Sequence, residues 1–329
     1  MAQSTRFLIV GAGGRVGATG YHATRQLIEK GLPVRAFVRR ADERAAELET
    51  LGADVAVGDL RNFDDVSAAL DGVQRAYFTF PVADGLVEAT TIFAAAGQQA
   101  GLESVVNMSQ ITARPDHPSP ASRQHWLAER VFDWSGIGVT HIRPTFFLEN
   151  LIGFAARTIQ AEGKIYLPYG QGRHAPVAGQ DLARVVVGLL SDPETHRGKT
   201  YVPTGPESMS LSEMATVFAR VLGRPVEYVD IPVARWRQML SNLAGMSLHF
   251  IEHLARVAEA HQRGEFDAVT DVVEMVGGEP PISLEAFIQE NAAAFGSVGA
   301  DDARKSPQSV RTEWLATGQA RSAGRKPTP

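Results

Sequence analysis

Cysteine is absent from all 329 residues. Disulfides, thiol nucleophiles and cysteine-ligated metals are therefore excluded, and the redox compartment cannot be read from cysteine usage. Long apolar runs are missing too. No stretch approaches the roughly 20 residues that a transmembrane helix needs. The first residues hold one Arg and a short apolar strand, unlike a secretory signal, so a cytoplasmic protein without membrane partners is expected. Charge of one sign does not prevail either: the net charge is −5, which gives no reason to expect nucleic acid as a partner. His117, His174, His196, His249, His253 and His261 are scattered. Only His249 and His253 share i, i+4 spacing, with no third ligand near them in sequence, so no metal site is expected.

What is present suffices for a sizeable core, since 44% of the residues are hydrophobic. Near the start stands FLIVGAGGRVGATG, residues 7–20. Its apolar run reads as a strand buried on both faces. Gly11, Gly14 and Gly17 follow at three-residue spacing, with Gly13 extra. Between a strand and a helix, such glycines let the backbone turn sharply and let a phosphate approach closely. The helix start behind them offers free N–H groups to a pyrophosphate.

Further stretches that read as strands fall at 32–40, 53–60, 75–80, 104–109 and 138–144, with helical stretches at 41–51, 63–70, 85–100 and 122–135. This alternation predicts an α/β fold, a doubly wound parallel sheet covered by helices on both faces. Ligands then bind at the strand C-termini. After about residue 150 the order changes, with helical patterns over 150–163, 211–222, 232–262 and 265–276. The helix at 211–222 has Ser210 as a candidate cap and stops at Gly223. We expect a nucleotide-binding domain over 1–150, to which later segments return, and a smaller, mainly helical substrate-covering lobe over 151–296. The stretch 297–329 is polar, with six Lys/Arg against three Asp/Glu, and reads as a flexible tail.

Several strand ends carry polar residues. Arg39 and Arg40 end the second strand, with no acid before Asp42. Arginine there accommodates the 2′-phosphate of NADP, where an acid would favour NAD, so NADP(H) is expected over NAD(H). The alternative is a solvated pair at a helix start. Asp59, beside the backbone of Leu60, could accept from an adenine amino group, or cap the helix that begins near Asn62 or Asp64. Phe80 and Pro81, in FTFP, would lie along the adenosine and its ribose.

The chain resembles the NmrA-like family, atypical members of the short-chain dehydrogenase/reductase superfamily. The likeness covers about residues 5–295. It rests on GAGGRVG, VRAFVRR, VGDLRN, SGIGVTHIRPTFFLEN, APVAGQDLARV, TGPESMSLSEMA and GGEPPISLEAFIQEN. The resemblance implies a Rossmann-type NAD(P)-binding domain with a small C-terminal lobe. It implies dinucleotide contacts from Gly11, Gly14, Arg15, Val16, Gly17, Arg39, Asp59 and Leu60. It also implies that Pro144–Phe147 passes near the nicotinamide. Asp181 reads as a helix cap.

The superfamily's Tyr-x-x-x-Lys pair is missing: none of the six tyrosines has Lys four residues later. HWLAE places His125 and Glu129 there instead, as in some quinone-reducing relatives. At i, i+4 they share a helix face, so Glu129 could orient His125 and hold its proton for use as an acid or hydrogen-bond donor. The alternative is an ordinary surface pair. Ser109 and Gln110, at the end of the fifth strand, would face the same site and hold a substrate oxygen.

Two functions fit. The first is an NAD(P)H-dependent reductase passing hydride to a small, electron-poor acceptor, quinone-like or conjugated, which needs little acid catalysis. The second is a non-catalytic NAD(P)-binding redox sensor that acts through a protein partner. Trp236, Met239, Leu240, Met246, Phe250 and Phe266 would line a substrate pocket in the enzyme, or simply form core. A homo-oligomer is compatible with either.

Overall fold

The computed structural model describes residues 6–14, 17–243 and 245–296. Arg15, Val16 and the tail 297–329 lie outside the described residues. Six strands alternate with five helices in the first half: β1 (Phe7–Val10), α1 (Thr19–Glu29), β2 (Val34–Val38), α2 (Glu43–Thr50), β3 (Asp54–Val57), α3 (Phe63–Leu70), β4 (Arg75–Phe78), α4 (Leu86–Gln99), β5 (Ser104–Met108), α5 (Pro120–Trp134) and β6 (Gly138–Ile142). There follow α6 (Glu149–Glu162), β7 (Lys164–Leu167), β8 (Arg173–His174), α7 (Gly179–Ser191), α8 (Pro193–His196) and β9 (Thr200–Tyr201). The rest is β10 (Met209–Ser210), α9 (Leu211–Leu222), β11 (Glu227–Asp230), α10 (Val233–Ser241), α11 (Leu248–Gln262), α12 (Val272–Gly277) and α13 (Leu284–Glu290).

The main sheet has seven strands in the order β3-β2-β1-β4-β5-β6-β9, and its pairings are parallel. β1 explains why its sequence is apolar throughout. Phe7 and Ile9 pack with Leu27, Val185 and Leu189 on one face, under α1 and α7. Leu8 and Val10 pack with Val66, Phe78, Phe93 and Phe132 on the other, under α3, α4 and α5. The period of two sends alternate side chains to opposite layers, and both layers are buried. The chain therefore has the Rossmann-type doubly wound sheet. Its order reverses between β1 and β4, the kind of switch point at which open α/β sheets bind ligands.

A second core holds Leu151, Ile159, Ile165, Leu167, Phe218, Trp236, Leu254 and Phe287. It joins α6, α9, α10, α11 and α13 around the parallel pair β7–β11. Helix α7 and α12 pack back against the main sheet instead.

Three local expectations are corrected. The pattern over 232–262 is two helices, α10 and α11, because Ser247 caps a new helix by accepting from the Phe250 N–H at 3.1 Å. Over 265–276 the helix begins only at Val272 and runs on to Gly277; Glu265 is instead held by Arg114 and Arg263. Asp181 is no cap. Ala178 occupies that position, and the buried Asp181 carboxylate binds Arg184 and accepts from the Ile282 N–H at 2.8 Å. The α7 start is served from elsewhere: Glu149 Oε1 accepts from the Gly179 N–H at 2.9 Å.

Candidate active site

The turn after β1 is built by glycine. Gly11 has φ +73°, and a Cβ there would lie 2.6 Å from Thr79 Cγ2. Its carbonyl accepts from the Gly14 N–H at 2.9 Å. A Cβ on Gly17 would lie 2.7 Å from the Phe147 ring. Gly14 itself is exposed, so its face is open to a ligand. Helix α1 then begins with Ala18 as N-cap, no side-chain cap and no acid in its first turn. The buried Thr19 hydroxyl there has no hydrogen-bond partner among the described residues. An uncapped helix start beside an open glycine turn suits a pyrophosphate.

Around this turn the other strand ends supply what the sequence placed there. Arg39 and Arg40 are exposed beyond β2. The side chain of Asp42 caps α2 and binds Arg44, whose guanidinium also donates to the Gly13 carbonyl at 3.2 Å. Arg44, not singled out from the sequence, thus ties the β2 end to the glycine turn. Asp59 and Leu60 follow β3. Asn62 caps α3, whereas Asp59 pairs with Arg61 at 3.1 Å. The Arg61 guanidinium holds the Asp59 carboxyl below the usual carboxylate range, with a smaller contribution from Arg39. Phe80 is half-buried and Pro81 exposed beyond β4. Pro144 is buried beyond β6, where its carbonyl accepts from the Ile111 N–H at 3.2 Å.

The region expected to carry chemistry is more buried than a surface pair. His125 is 5% exposed, Ser109 4% and Glu129 0%. Glu129 does not serve His125. Its carboxylate is gripped by Arg143, which donates from Nε at 2.8 Å and from Nη2 at 2.5 Å. Burial, the largest single effect, pushes the Glu129 carboxyl up, but Arg143, Ser109 and His141 together outweigh it, so the group lies below the usual range. The Ser109 hydroxyl, facing the Glu129 carboxylate, adds to that downward shift. Burial pulls the His125 imidazole down to about 4, against the smaller opposing pull of Glu129. His125 is therefore neutral at pH 7. It can donate a hydrogen bond, but it holds no proton to release as an imidazolium acid.

Three polar atoms of this region are buried without hydrogen-bond partners among the described residues: His125 Nδ1, Gln110 Nε2 and His249 Nε2. Buried polar groups are normally paired, so such a set marks a place where a polar ligand would be welcome. Of the aromatic and sulfur side chains expected along a pocket, Trp236 and Leu240 are core, while Met239, Met246 and Phe250 are half-buried against it. Phe266 stacks on His261 with ring centroids 3.8 Å apart. The histidines are not scattered in space: the fields of His117, His125 and His249 all reach His253. Among the described residues no group of three or more His, Asp or Glu could hold a metal ion.

Sequence reasoning missed Arg143, though it stands at a strand end in THIRPT. It missed Gly179 as well. A Cβ there would fall 1.6 Å from the Gly17 carbonyl oxygen, so α7 meets the glycine turn only through glycine. No local pattern signals a contact between residues so far apart in the chain.

The model of the NmrA-like family matches residues 3–288. The NAD(P)H azoreductase of Xenophilus azovorans is 32% identical over 292 residues, covering 88% of this chain and 99% of that protein. Among solved structures, the NADPH-dependent quinone oxidoreductase of Escherichia coli, complexed with NADPH, superposes with a TM-score of 0.78 at 21% identity. It covers 87% of this chain and 99% of its own. The negative transcriptional regulator NmrA in complex with NAD superposes at 0.73 with 18% identity, covering 88% and 95%. At these identities the two structures speak to the fold alone. Among the described residues, no helix is long and apolar enough to cross a membrane.

Proposed function

The chain belongs to the NmrA-like family, and on that premise we propose that it is an NAD(P)H-dependent reductase of the atypical short-chain dehydrogenase/reductase type. Its acceptor is a small, electron-poor organic molecule, quinone-like, azo or conjugated carbonyl. One observation carries this reading. The open glycine turn and uncapped α1 stand at the same C-terminal strand edge as Ser109 and Gln110, with His125 buried on the helix that follows; Gln110 Nε2 and His125 Nδ1 have no hydrogen-bond partner among the described residues. The chain-long likeness to an NAD(P)H azoreductase supports it.

The residues present fit a dinucleotide. Gly11, Gly14, Gly17 and the start of α1 would cradle the pyrophosphate, with Thr19 Oγ as a spare donor. Arg39 would meet a 2′-phosphate, and Asp59 with Leu60 the adenine. Phe80 and Pro81 would flank the ribose, and Pro144 the nicotinamide. When bound, the nicotinamide supplies the hydride. Neutral His125 then donates a hydrogen bond to the acceptor atom on which charge develops. Ser109 and Gln110 orient that acceptor. The Arg143–Glu129 pair fixes the wall behind Ser109 and holds its charge away from solvent.

The test is oxidation of NADPH and NADH by the protein against a panel of quinones, azo dyes and conjugated carbonyls. Acceptor-dependent oxidation supports the reductase. Tight cofactor binding with no turnover across the panel would instead favour the redox sensor.

A further inference from the structure

Helix α11 presents His249 and His253, one turn apart, to the strand ends rather than to solvent. His249 is tied by Nδ1 to Asp84, in the loop after β4, at 3.2 Å. His253 Nδ1 lies 2.9 Å from Ser119 Oγ, at the head of α5. The two ties hold α11 across the C-terminal ends of β4 and β5. Six residues on from Ser119 stands His125, on the face of α5 that also carries Ser122. His125 and His253, 5% and 6% exposed, lie on two helices, α5 and α11, that pack against each other, and a charge on His125 would disfavour one on His253.

The hydrogen bonds fix the tautomer of His253. Ser119 is 0% exposed, and its Oγ already accepts from the Ser122 N–H at 3.3 Å. Its hydroxyl hydrogen has no acceptor among the described residues other than His253 Nδ1. If Nδ1 carried the ring hydrogen, that hydroxyl would be buried with its own hydrogen unused. Ser119 therefore donates to Nδ1, and the ring hydrogen sits on Nε2. Nε2 has no hydrogen bond to a described residue.

We propose that His253 is a second catalytic hydrogen-bond donor, supplied by the C-terminal lobe opposite His125, with Nε2–H directed at the atom of the acceptor that gains charge. The proposal rests on the reductase reading above. Hydride transfer moves two electrons and one hydrogen from the reduced nicotinamide to the acceptor. The negative charge comes to rest on an acceptor oxygen or nitrogen, and a proton from water completes the product. His253 gives up no proton. It stabilises that charge while remaining neutral, and Ser119 is the positioning residue that sets its tautomer.

The test compares His253→Leu, which keeps bulk without a donor, with His253→Gln, whose amide can donate from near the Nε2 position. With a para-quinone as probe, His253→Leu is expected to lower kcat about a hundredfold, while NADPH binding stays essentially as tight as in the wild type. His253→Gln should recover most of the loss. In the wild-type protein, imidazole nitrogen NMR shifts should report His253 as the Nε2–H tautomer, which needs no variant to fold. Wild-type kcat in a folded His253→Leu protein, equal losses in both variants, or the Nδ1–H tautomer would overturn the proposal while leaving an active reductase. If the wild type turned over no acceptor at all, the reductase reading would fall, and this proposal with it.

Discussion

At Gly179 the structure leaves no room for a side chain. Gly179→Ala would drive a Cβ to 1.6 Å from the Gly17 carbonyl oxygen, so α7 must move away from the glycine turn. We expect a loss of several kcal/mol, of the order seen for severe overpacking, measured as a lower midpoint in denaturant. Gly14 behaves differently. Among the described residues a Cβ there would meet one close neighbour, the Gly11 carbonyl oxygen at 3.0 Å. Gly14→Val should therefore fold and lose dinucleotide binding, read by titration. Retained affinity would mean that the turn serves the fold alone. Arg39→Ala should weaken NADPH about tenfold to a hundredfold with little change for NADH. Equal weakening of both would place the 2′-phosphate elsewhere. Glu129 shows where sequence reasoning stopped. Its spacing from His125 was legible, but Arg143 reaches it from another strand, and no periodicity foretells that. Glu129→Gln would leave the Arg143 guanidinium without its carboxylate, costing about 3 kcal/mol as well as altering the site. A melting temperature equal to wild type would contradict this.

Elements were legible where a single physical demand governed them. β1, β5 and β6 are covered on both faces; β1 is apolar throughout, and β5 and β6 are short β-branched stretches between helical patterns, which was enough to find them. Helix α9 announced itself by its ends. Ser210 accepts from the Glu213 N–H at 3.3 Å, Glu213 Oε2 accepts from the Ser210 N–H at 2.7 Å, and Gly223 closes the helix with φ +66°. Ser210→Ala should cost about 1 kcal/mol in denaturant unfolding, and no cost at all would mean that β10 pairing supplies the cap. The short strands β8, β9 and β10 carry two residues each. Two residues hold no pattern, and their pairing is decided by distant partners. The break between α10 and α11 was obscured because apolar residues continue through Met246.

At the scale of the whole molecule, the buried histidines link stability to pH. Burial lowers His117 and His125 to about 4 and His253 and His261 to about 3, and puts His174 well below its ordinary value. The unfolded chain binds these protons near pH 6.5 while the folded chain does not. Their contribution is thus full above about pH 6.5 and falls as pH drops toward 4. Each contributes a slope of up to about 1.4 kcal/mol per pH unit. Even two such groups would remove about 3 kcal/mol per unit once both have left the plateau. The melting temperature should be flat from pH 7 to 8 and fall steeply below pH 6. A flat profile down to pH 4.5 would show that these histidines charge freely in the folded state.

The most direct measurement of the central claim is NADPH oxidation, followed at the nicotinamide absorbance, by wild type and His125→Ala over a panel of quinones, azo dyes and conjugated carbonyls. The wild type should oxidise NADPH in proportion to at least one acceptor. His125→Ala should lower kcat for that acceptor by up to about a hundredfold while binding NADPH as tightly. Wild-type turnover in the variant would remove His125 from the chemistry. NADPH bound tightly by the wild type but never consumed would contradict the account, leaving a nucleotide sensor built on a reductase fold.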